Sequence, residues 1–211
     1  MKKELFSMMA KEALSHVKGA FPCSQGVAKK RHEGLENICL RGLSNKGVVV
    51  FIATDSSIAY EGRVEALKPF EADFKVAVNA TDLKATLKAF VSLTKKGESN
   101  IPLAFIEDDE EKALIVKSET ATRVIPLAQV DYPFDVLEGL MRDARGLSMN
   151  GHEHAICLSL DVLEAVVASA KAKGDGRVVF YLNEDTMKPS YAVGRYCGEE
   201  QNEYIIVPCR L

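Results

Sequence analysis

The sequence has no tryptophan, and aromatic residues make up only 7% of its 211 positions. It has no apolar run of about 18 residues, so no membrane-spanning helix is expected. It has no excess of positive charge: 27 Lys plus Arg stand against 30 Asp plus Glu, a formal net charge of -3. That excludes a nucleic-acid binder acting through bulk charge and leaves room for a local basic face. The five cysteines (Cys23, Cys39, Cys157, Cys197 and Cys209) are odd in number, scattered and without a CxxC pair. Such usage points to free thiols in a reducing cytoplasm rather than a disulfide frame. The start, MKKELFSMMAKEAL, interrupts its apolar residues with Glu4, Lys11 and Glu12, so it lacks the core of a secretion signal. Neither a Walker-type glycine loop nor a GxSxG elbow occurs.

What is present is an ordinary globular balance, with 47% hydrophobic and 27% charged residues. At this length the chain buries most of its apolar surface without a staple of disulfides or metal. Leu5, Phe6, Met9, Ala13 and Val17 recur at helical spacing, so the chain is expected to open with a helix that Gly19 stops. A loop over 20–36 carries Lys29, Lys30 and Arg31, read as a surface loop. Apolar runs follow at 38–40, 48–53 and 58–67. Ser44-Asn45-Lys46-Gly47 between the first two reads as a hairpin turn in which Gly47 takes positive φ.

A second unit is plainer. Phe74, Val76 and Val78 alternate with polar or small neighbours, as a strand does. Thr81 or Asp82 is placed to cap a helix that buries Leu83, Leu87 and Phe90. Strands are expected at 101–106, 113–118 and 122–127, the first two joined by an acidic tip, Glu107 to Glu111. A third unit repeats this order. It has a strand at 155–160, then a helix opened by Asp161 with Leu163, Val166, Val167 and Ala170 inward. Strands at 177–182, 191–196 and 204–209 complete it. Units two and three close alike, on Val124-Ile125-Pro126 and on Ile206-Val207-Pro208. Self-similarity of this kind is an organisational signal. It gives three copies of one helix-plus-strands unit, the first without an obvious strand before its helix.

The helices also carry charge in a pattern. Lys3, Ser7, Lys11 and Lys18 fall in one sector of the first expected helix, away from its apolar face. Lys84, Lys88 and Lys95 share a sector of the second. Amines gathered on one face suit contact with phosphates, although lysine on an exposed helix face is as often only a solvating residue. The third helix shows Glu164, Ala168, Lys171 and Ala172 instead, and contributes little charge.

Three segments make the chain resemble a known family. Ala53-Thr54-Asp55-Ser56-Ser57-Ile58-Ala59, Val130-Asp131-Tyr132-Pro133-Phe134 and the ending Tyr204 to Leu211 are similar, in order and spacing, to the bacterial DNA polymerase III β sliding clamp. The resemblance covers nearly the whole chain. It implies an α+β fold of the DNA-clamp type, with repeated helix-plus-antiparallel-strand units whose helices share one face. On it, residues 1–134 form a complete clamp module of two units, 135–153 a linker and 154–211 a half module, against three full modules in a bacterial clamp chain.

The resemblance further implies a non-enzymatic, cytoplasmic processivity factor without cofactor. It would hold duplex DNA without sequence specificity and assemble as a homo-oligomer, with no membrane partner. Its DNA face would be Lys3, Lys11, Lys18, Lys84, Lys88 and Lys95. A pocket for peptide tails of polymerase and clamp loader would involve Thr54, Ile58, Pro133, Val207, Pro208, Cys209, Arg210 and Leu211, with apolar walls for a Leu or Phe anchor. The alternative is a clamp-derived adaptor or regulator that binds replication proteins without encircling DNA. His152, His154 and Cys157 lack a fourth ligand at useful spacing, so no metal site is expected. Asp55 follows a strand and is read as a turn residue rather than a catalytic acid.

Overall fold

The computed structural model of the protein describes residues 1–24, 34–55, 58–93, 100–128, 135, 137–139, 160–174, 177–181, 189–196 and 199–206. In chain order the first unit is β1 (Lys2–Met9), α1 (Ala10–Ala20), β2 (Asn37–Leu43), β3 (Val48–Thr54) and β4 (Ile58–Glu65). The second is β5 (Phe74–Asn79), α2 (Ala80–Leu93), β6 (Pro102–Asp108), β7 (Ala113–Lys117) and β8 (Thr122–Pro126). The third is α3 (Leu160–Lys173), β9 (Arg177–Tyr181), β10 (Ser190–Tyr196) and β11 (Glu199–Ile206).

The opening of the chain departs from its sequence reading. Residues Lys2–Met9 form a strand, and the helix begins only at Ala10. The register of β1 on β6 shifts between Glu4 and Phe6, a bulge that turns Leu5 and Phe6 inward together. Two adjacent buried residues break the period-two pattern and, with Met9 and Ala13, imitate a helical face. The first two units therefore share one plan; the strand expected at 155–160 of the third falls on residues 155–159, outside the described residues, and on Leu160, which opens its helix. Lys3 lies on a strand, and the helical sector expected to hold it with Lys11 and Lys18 does not exist.

The strands form two antiparallel sheets, ordered β1-β6-β7-β8 and β5-β2-β3-β4-β11-β10-β9. The first two units exchange strands. β1, from unit one, joins the sheet of unit two beside β6; β5, from unit two, joins the sheet of unit one beside β2. The exchange continues at the strand ends. Leu67 N donates to Ser7 O of β1, and Ala128 N donates to Ala77 O of β5. Each hairpin also holds a left-handed residue at the matching place, Gly47 at φ 62° and Lys112 at φ 48°. Their carbonyls accept from Ala66 N and Leu127 N respectively. Glycine adopts that conformation without a Cβ penalty, whereas lysine is strained there.

The core lies between the sheets and the helices. Phe6 is its hinge: its ring stacks on Phe105 at 4.3 Å and on Phe74 at 5.4 Å, joining the two sheets. Leu83, Leu87 and Phe90 of α2 are buried as expected. The cap is neither Thr81 nor Asp82. Asn79 Oδ1 accepts from Thr81 N at 2.9 Å and Asp82 N at 3.4 Å. On α3, Val166 and Ala170 are buried as expected, but Leu163 is half-buried and Val167 exposed, and Val162 is buried instead, because the helix turns a face one residue away from the expected one inward. On the outer face, Arg41 and Lys75 stand in register on neighbouring strands. Their like charges are matched by Glu138, paired with Arg41, and Asp135, 2.7 Å from Lys75.

The third unit is joined to the first. β11 pairs with β4, and α1 packs against α3 as well as α2. This joint has a polar centre. His16 is buried, stacked on Phe51, with Nδ1 3.3 Å from the Tyr60 hydroxyl and Nε2 3.0 Å from Lys173 Nζ. An ammonium only donates, so Nε2 accepts and Nδ1–H donates to Tyr60. Ser169 Oγ donates to Gly19 O beside it. A Cβ on Gly62 would strike both the Tyr60 hydroxyl and the His16 ring, so this pair requires glycine there. Burial, and then the Lys173 charge, push the His16 pKa down to about 3.

That shift gives a signed prediction. The unfolded chain protonates this histidine near its ordinary 6.5, while the folded chain keeps it neutral down to about 3. Its contribution is therefore fully present above pH 6.5 and is lost as pH falls through that window. Denaturant unfolding should show stability falling with a slope approaching about 1.4 kcal/mol per pH unit below pH 6. Asp73, Asp108 and Asp135 have depressed pKa values and act only below the carboxylate range. His16→Gln should lower stability at neutral pH and remove the slope between pH 6 and 5; a slope that survives contradicts the assignment.

Candidate nucleic-acid face and terminal turn

The helices carry the amines that the sequence groups together. Lys11 and Lys18 are exposed on α1, and Lys88 is exposed on α2. Lys84 is half-buried, with Nζ 3.3 Å from the centre of the Phe21 ring, in the turn that follows α1. Burial first, then the charges of Lys88 and Lys18, hold the Lys84 pKa below its ordinary value. Amines from α1 and α2 thus converge closely enough to repel one another. Among the described residues, Lys18, Lys84 and Lys88 form no ion pair. A cluster that lacks its own carboxylates is electrostatically open to an external anion.

The fold explains why these amines meet. Counted from the first residue of each helix, Lys18 of α1 and Lys88 of α2 occupy the same place, so the strand exchange relates them to each other. Matched by their buried residues, with Val162 and Val166 answering to Leu83 and Leu87, α3 carries Leu163 and Val167 at the places of Lys84 and Lys88. α3 therefore adds no amine at those places, in line with its sequence. Lys3 lies on β1, in register with Glu107. Lys95 lies outside the described residues.

The acidic run expected at a hairpin tip is there. Asp108 closes β6 and its Oδ1 accepts from Glu110 N and Glu111 N, while the amino terminus pairs with Glu110 at 3.0 Å. Among the described residues no group of three or more His, Cys, Asp or Glu is placed to hold a metal, and no helix is long and apolar enough to cross a membrane. His152, His154 and Cys157 lie outside the described residues, as do Lys29, Lys30 and Arg31.

Of the expected peptide pocket, Thr54 and Ile58 are described and both are buried. They belong to the β3–β4 turn. Thr54 Oγ1 donates to Ile58 O at 2.9 Å, and Asp55 Oδ1 accepts from Ile58 N at 2.9 Å. Asp55 is thus a turn residue, as its sequence position implies. Ile206, at the end of β11, stands in register with Ile58, so β11 ends beside this turn. Pro133, Val207, Pro208, Cys209, Arg210 and Leu211 lie outside the described residues.

This architecture matches solved bacterial sliding clamps. The β subunit of the DNA polymerase of Streptococcus pyogenes has a TM-score of 0.69 at 16% identity, covering 99% of this chain and 66% of that one. The DNA polymerase III β chain of Streptococcus pneumoniae TIGR4 has a TM-score of 0.67 at 15% identity, covering 97% and 64%. The β subunit from Thermotoga maritima has 0.67 at 13%, covering 100% and 65%. No protein-family model matches the chain, and no curated protein sequence does. At these identities the likeness shows the fold. The chain has the α+β sliding-clamp fold expected of it, over about two thirds of the length of the clamps it matches.

The amine cluster carries its own test. Lys84 and Lys88 are one helical turn apart, where like charges cost about 0.2–0.5 kcal/mol. Lys88→Gln should raise the Lys84 pKa toward its ordinary value in an NMR titration and stabilise the chain by that amount at low salt. The gain should vanish at high salt. A Lys84 titration indifferent to the substitution would show that the amines do not converge.

Proposed function

We propose that the chain is a non-enzymatic, clamp-type processivity factor that holds duplex DNA without reading its sequence. The observation that carries this is the meeting of Lys18, Lys84 and Lys88 on the helices of a sliding-clamp fold. The fold supplies a rigid shell of strands, and the exchanged pair of units presents its helices together. Each phosphate that approaches this face releases condensed counterions and relieves repulsion among the amines, and neither effect depends on base identity. Lys11 extends the face along α1. The sequence pattern also assigns Lys3 and Lys95 to this face; Lys3, on a strand of the sheet, is set aside from it.

The same reading gives the terminal turn a docking role. Buried Thr54 and Ile58 act as the floor, tied together through Thr54 Oγ1 and Asp55 Oδ1. Pro133 and Val207 to Leu211 form the walls, with Arg210 orienting the carboxyl side of an incoming tail. The partners are apolar peptide tails of a polymerase and of a clamp loader. An adaptor that binds such tails and leaves DNA alone is the competing reading.

Two titrations separate these readings. For DNA, fluorescence anisotropy with labelled duplexes of unrelated sequence should give equal affinities. Lys18→Glu with Lys88→Glu should weaken binding at least about tenfold at low salt. The log–log salt slope should become shallower by about 0.9 for each phosphate that is no longer neutralised. No measurable DNA binding, or equal binding by the variant, overturns the processivity reading. For the turn, a polymerase-tail peptide carrying a Leu or Phe anchor should bind about tenfold more weakly to Pro208→Ala or Arg210→Ala. Unchanged affinity in both removes the docking assignment. Peptide binding without DNA binding selects the adaptor.

A further inference from the structure

The exchange of strands lets the outer faces of units one and two be compared place by place. Leu67 N donates to Ser7 O in one sheet as Ala128 N donates to Ala77 O in the other. From there the registers match. Ser7, Ala104 and Lys117 form a row across β1, β6 and β7, where Ala77, Cys39 and Ile52 form a row across β5, β2 and β3. Both rows point away from the core, because side chains alternate along a strand and Phe105 and Leu40 point into it. On unit one this row is covered. Cys39 and Ile52 are fully buried, Asp135 pairs with Lys75 and Glu138 with Arg41, and Leu137 between them is buried. On unit two the row is open. Cavities of about 230 and 550 Å³ share Glu4, Ser7 and Lys68, so one groove crosses β1. Ala104 lies on its floor and Leu67, 47% exposed, on its wall. Ser7 Oγ is buried there without a hydrogen-bond partner. Lys117 stands beyond Ala104 and Lys68 beyond Ser7, and among the described residues neither forms an ion pair.

We propose that this groove is a second docking site, for a partner peptide that presents one carboxylate beside an apolar side chain. The chemistry of the occupant is read from unit one, where Asp135 and Leu137 of the chain itself lie at the matching face. On unit two the amines stand at other places: Ile106 replaces Arg41, and Lys117 replaces Ile52. The carboxylate therefore sits over Ala104, between Lys68 and Lys117, and accepts from Ser7 Oγ. That contact gives the hydroxyl the partner it lacks, and a hydrogen bond to a charged group is stronger than a neutral one. The apolar side chain rests on Leu67 and Ile106. Glu4, in register with Ile106, and Glu119, two residues after Lys117, stand toward the two ends of the groove and repel a second acid on either side. The peptide is thus singly acidic rather than an acidic run. The groove lies on the side of its sheet away from the core, so docking there does not compete with the amines of α1 and α2. The inference depends on the fold alone and not on the terminal turn or the DNA face.

The test is fluorescence anisotropy of the full chain with a labelled, end-blocked peptide of core Ser-Asp-Val-Leu-Ser at low salt. It should bind, and the same peptide with Asn for Asp should bind about tenfold more weakly. A core of three Asp should bind more weakly than one. Lys68→Gln and Lys117→Gln should each weaken binding about threefold or more, and Ala104→Leu, which fills the floor, should abolish it. Ser7→Ala should weaken binding without lowering the melting temperature, since its hydroxyl has no partner in the free chain. If Ala104→Leu disturbs the fold, the two exposed lysine variants carry the result. Lys75→Gln at the matching face of unit one, Arg210→Ala at the terminal turn and Lys18→Glu on α1 should leave the affinity unchanged. No binding, binding that ignores both Lys68→Gln and Lys117→Gln, or tighter binding of the triple-Asp core overturns the proposal. Binding lost on Lys75→Gln or Arg210→Ala instead places the peptide elsewhere and overturns it equally. DNA binding that persists in either case leaves the processivity reading standing, so the two fail separately.

Discussion

A single helix laid on three strands cannot cover its own inner face. The exchange of β1 and β5 is how this chain meets that constraint. β1 brings Phe6 over Phe105, and β5 brings Phe74 to the other side of the same ring. Burying each aromatic ring contributes about 2–3 kcal/mol, and the stacking adds about 0.5–1.5. The exchange also makes the pair cooperative, because neither sheet is complete without a strand from the other unit. The burial of Leu40, Val17 and Leu87, and the placement of the helix amines, follow from this one device.

The contact between units one and three is of another kind. β4 and β11 are joined by backbone hydrogen bonds, which are nearly blind to side-chain identity. Such an edge can slip in register unless something else fixes it. Here the fixing groups are polar: buried Tyr60 on β4, buried Ser169 and half-buried Lys173 on α3, and buried His16 and Gly19 on α1. Shifting the strands would leave a buried imidazole and a buried hydroxyl without these partners. The cost of an unmet buried group is larger than the net gain of a met one, so such a network specifies geometry more than it adds stability. Burial first, and then the Lys173 ammonium that a proton on Nε2 would face directly, keep the imidazole neutral.

Much of this is legible in the residues. The repeat, the strand before α2, the buried stripe of that helix and the left-handed Gly47 all follow from local rules, and the structure agrees with them. Three features are not local. β1 is hidden because its bulge places Leu5 and Phe6 side by side, which a periodicity argument reads as a helix. Val167 looks inward because its place in the repeat is inward in the other units, yet α3 turns Val162, Val166, Ser169 and Ala170 inward and leaves Val167 outside. His16 gives no signal, since a lone histidine in a helix reveals nothing of a tyrosine and a lysine that are distant in sequence. Of the candidate DNA face, the sequence pattern places Lys11 and Lys18 on one helix and Lys84 and Lys88 on the next, where the structure has them. That α1 and α2 amines converge depends on the packing of the two helices.

The charge distribution is the last consequence of the pairing. A chain with a net charge of -3 must separate its signs to present a basic surface. The acids of Glu107 to Glu111 sit at and beside a hairpin tip, where solvent screens them and the backbone N–H groups of Glu110 and Glu111 hold Asp108. The amines sit on α1 and α2, and Lys84 lies partly over an aromatic ring that lowers the cost of its burial. Lys18 of α1 and Lys88 of α2 both act on Lys84, so amines from two packed helices raise the local potential together. The packing of α1 on α2 thus makes that helix pair basic, while Lys171 and Lys173 of α3 lie in its last turn.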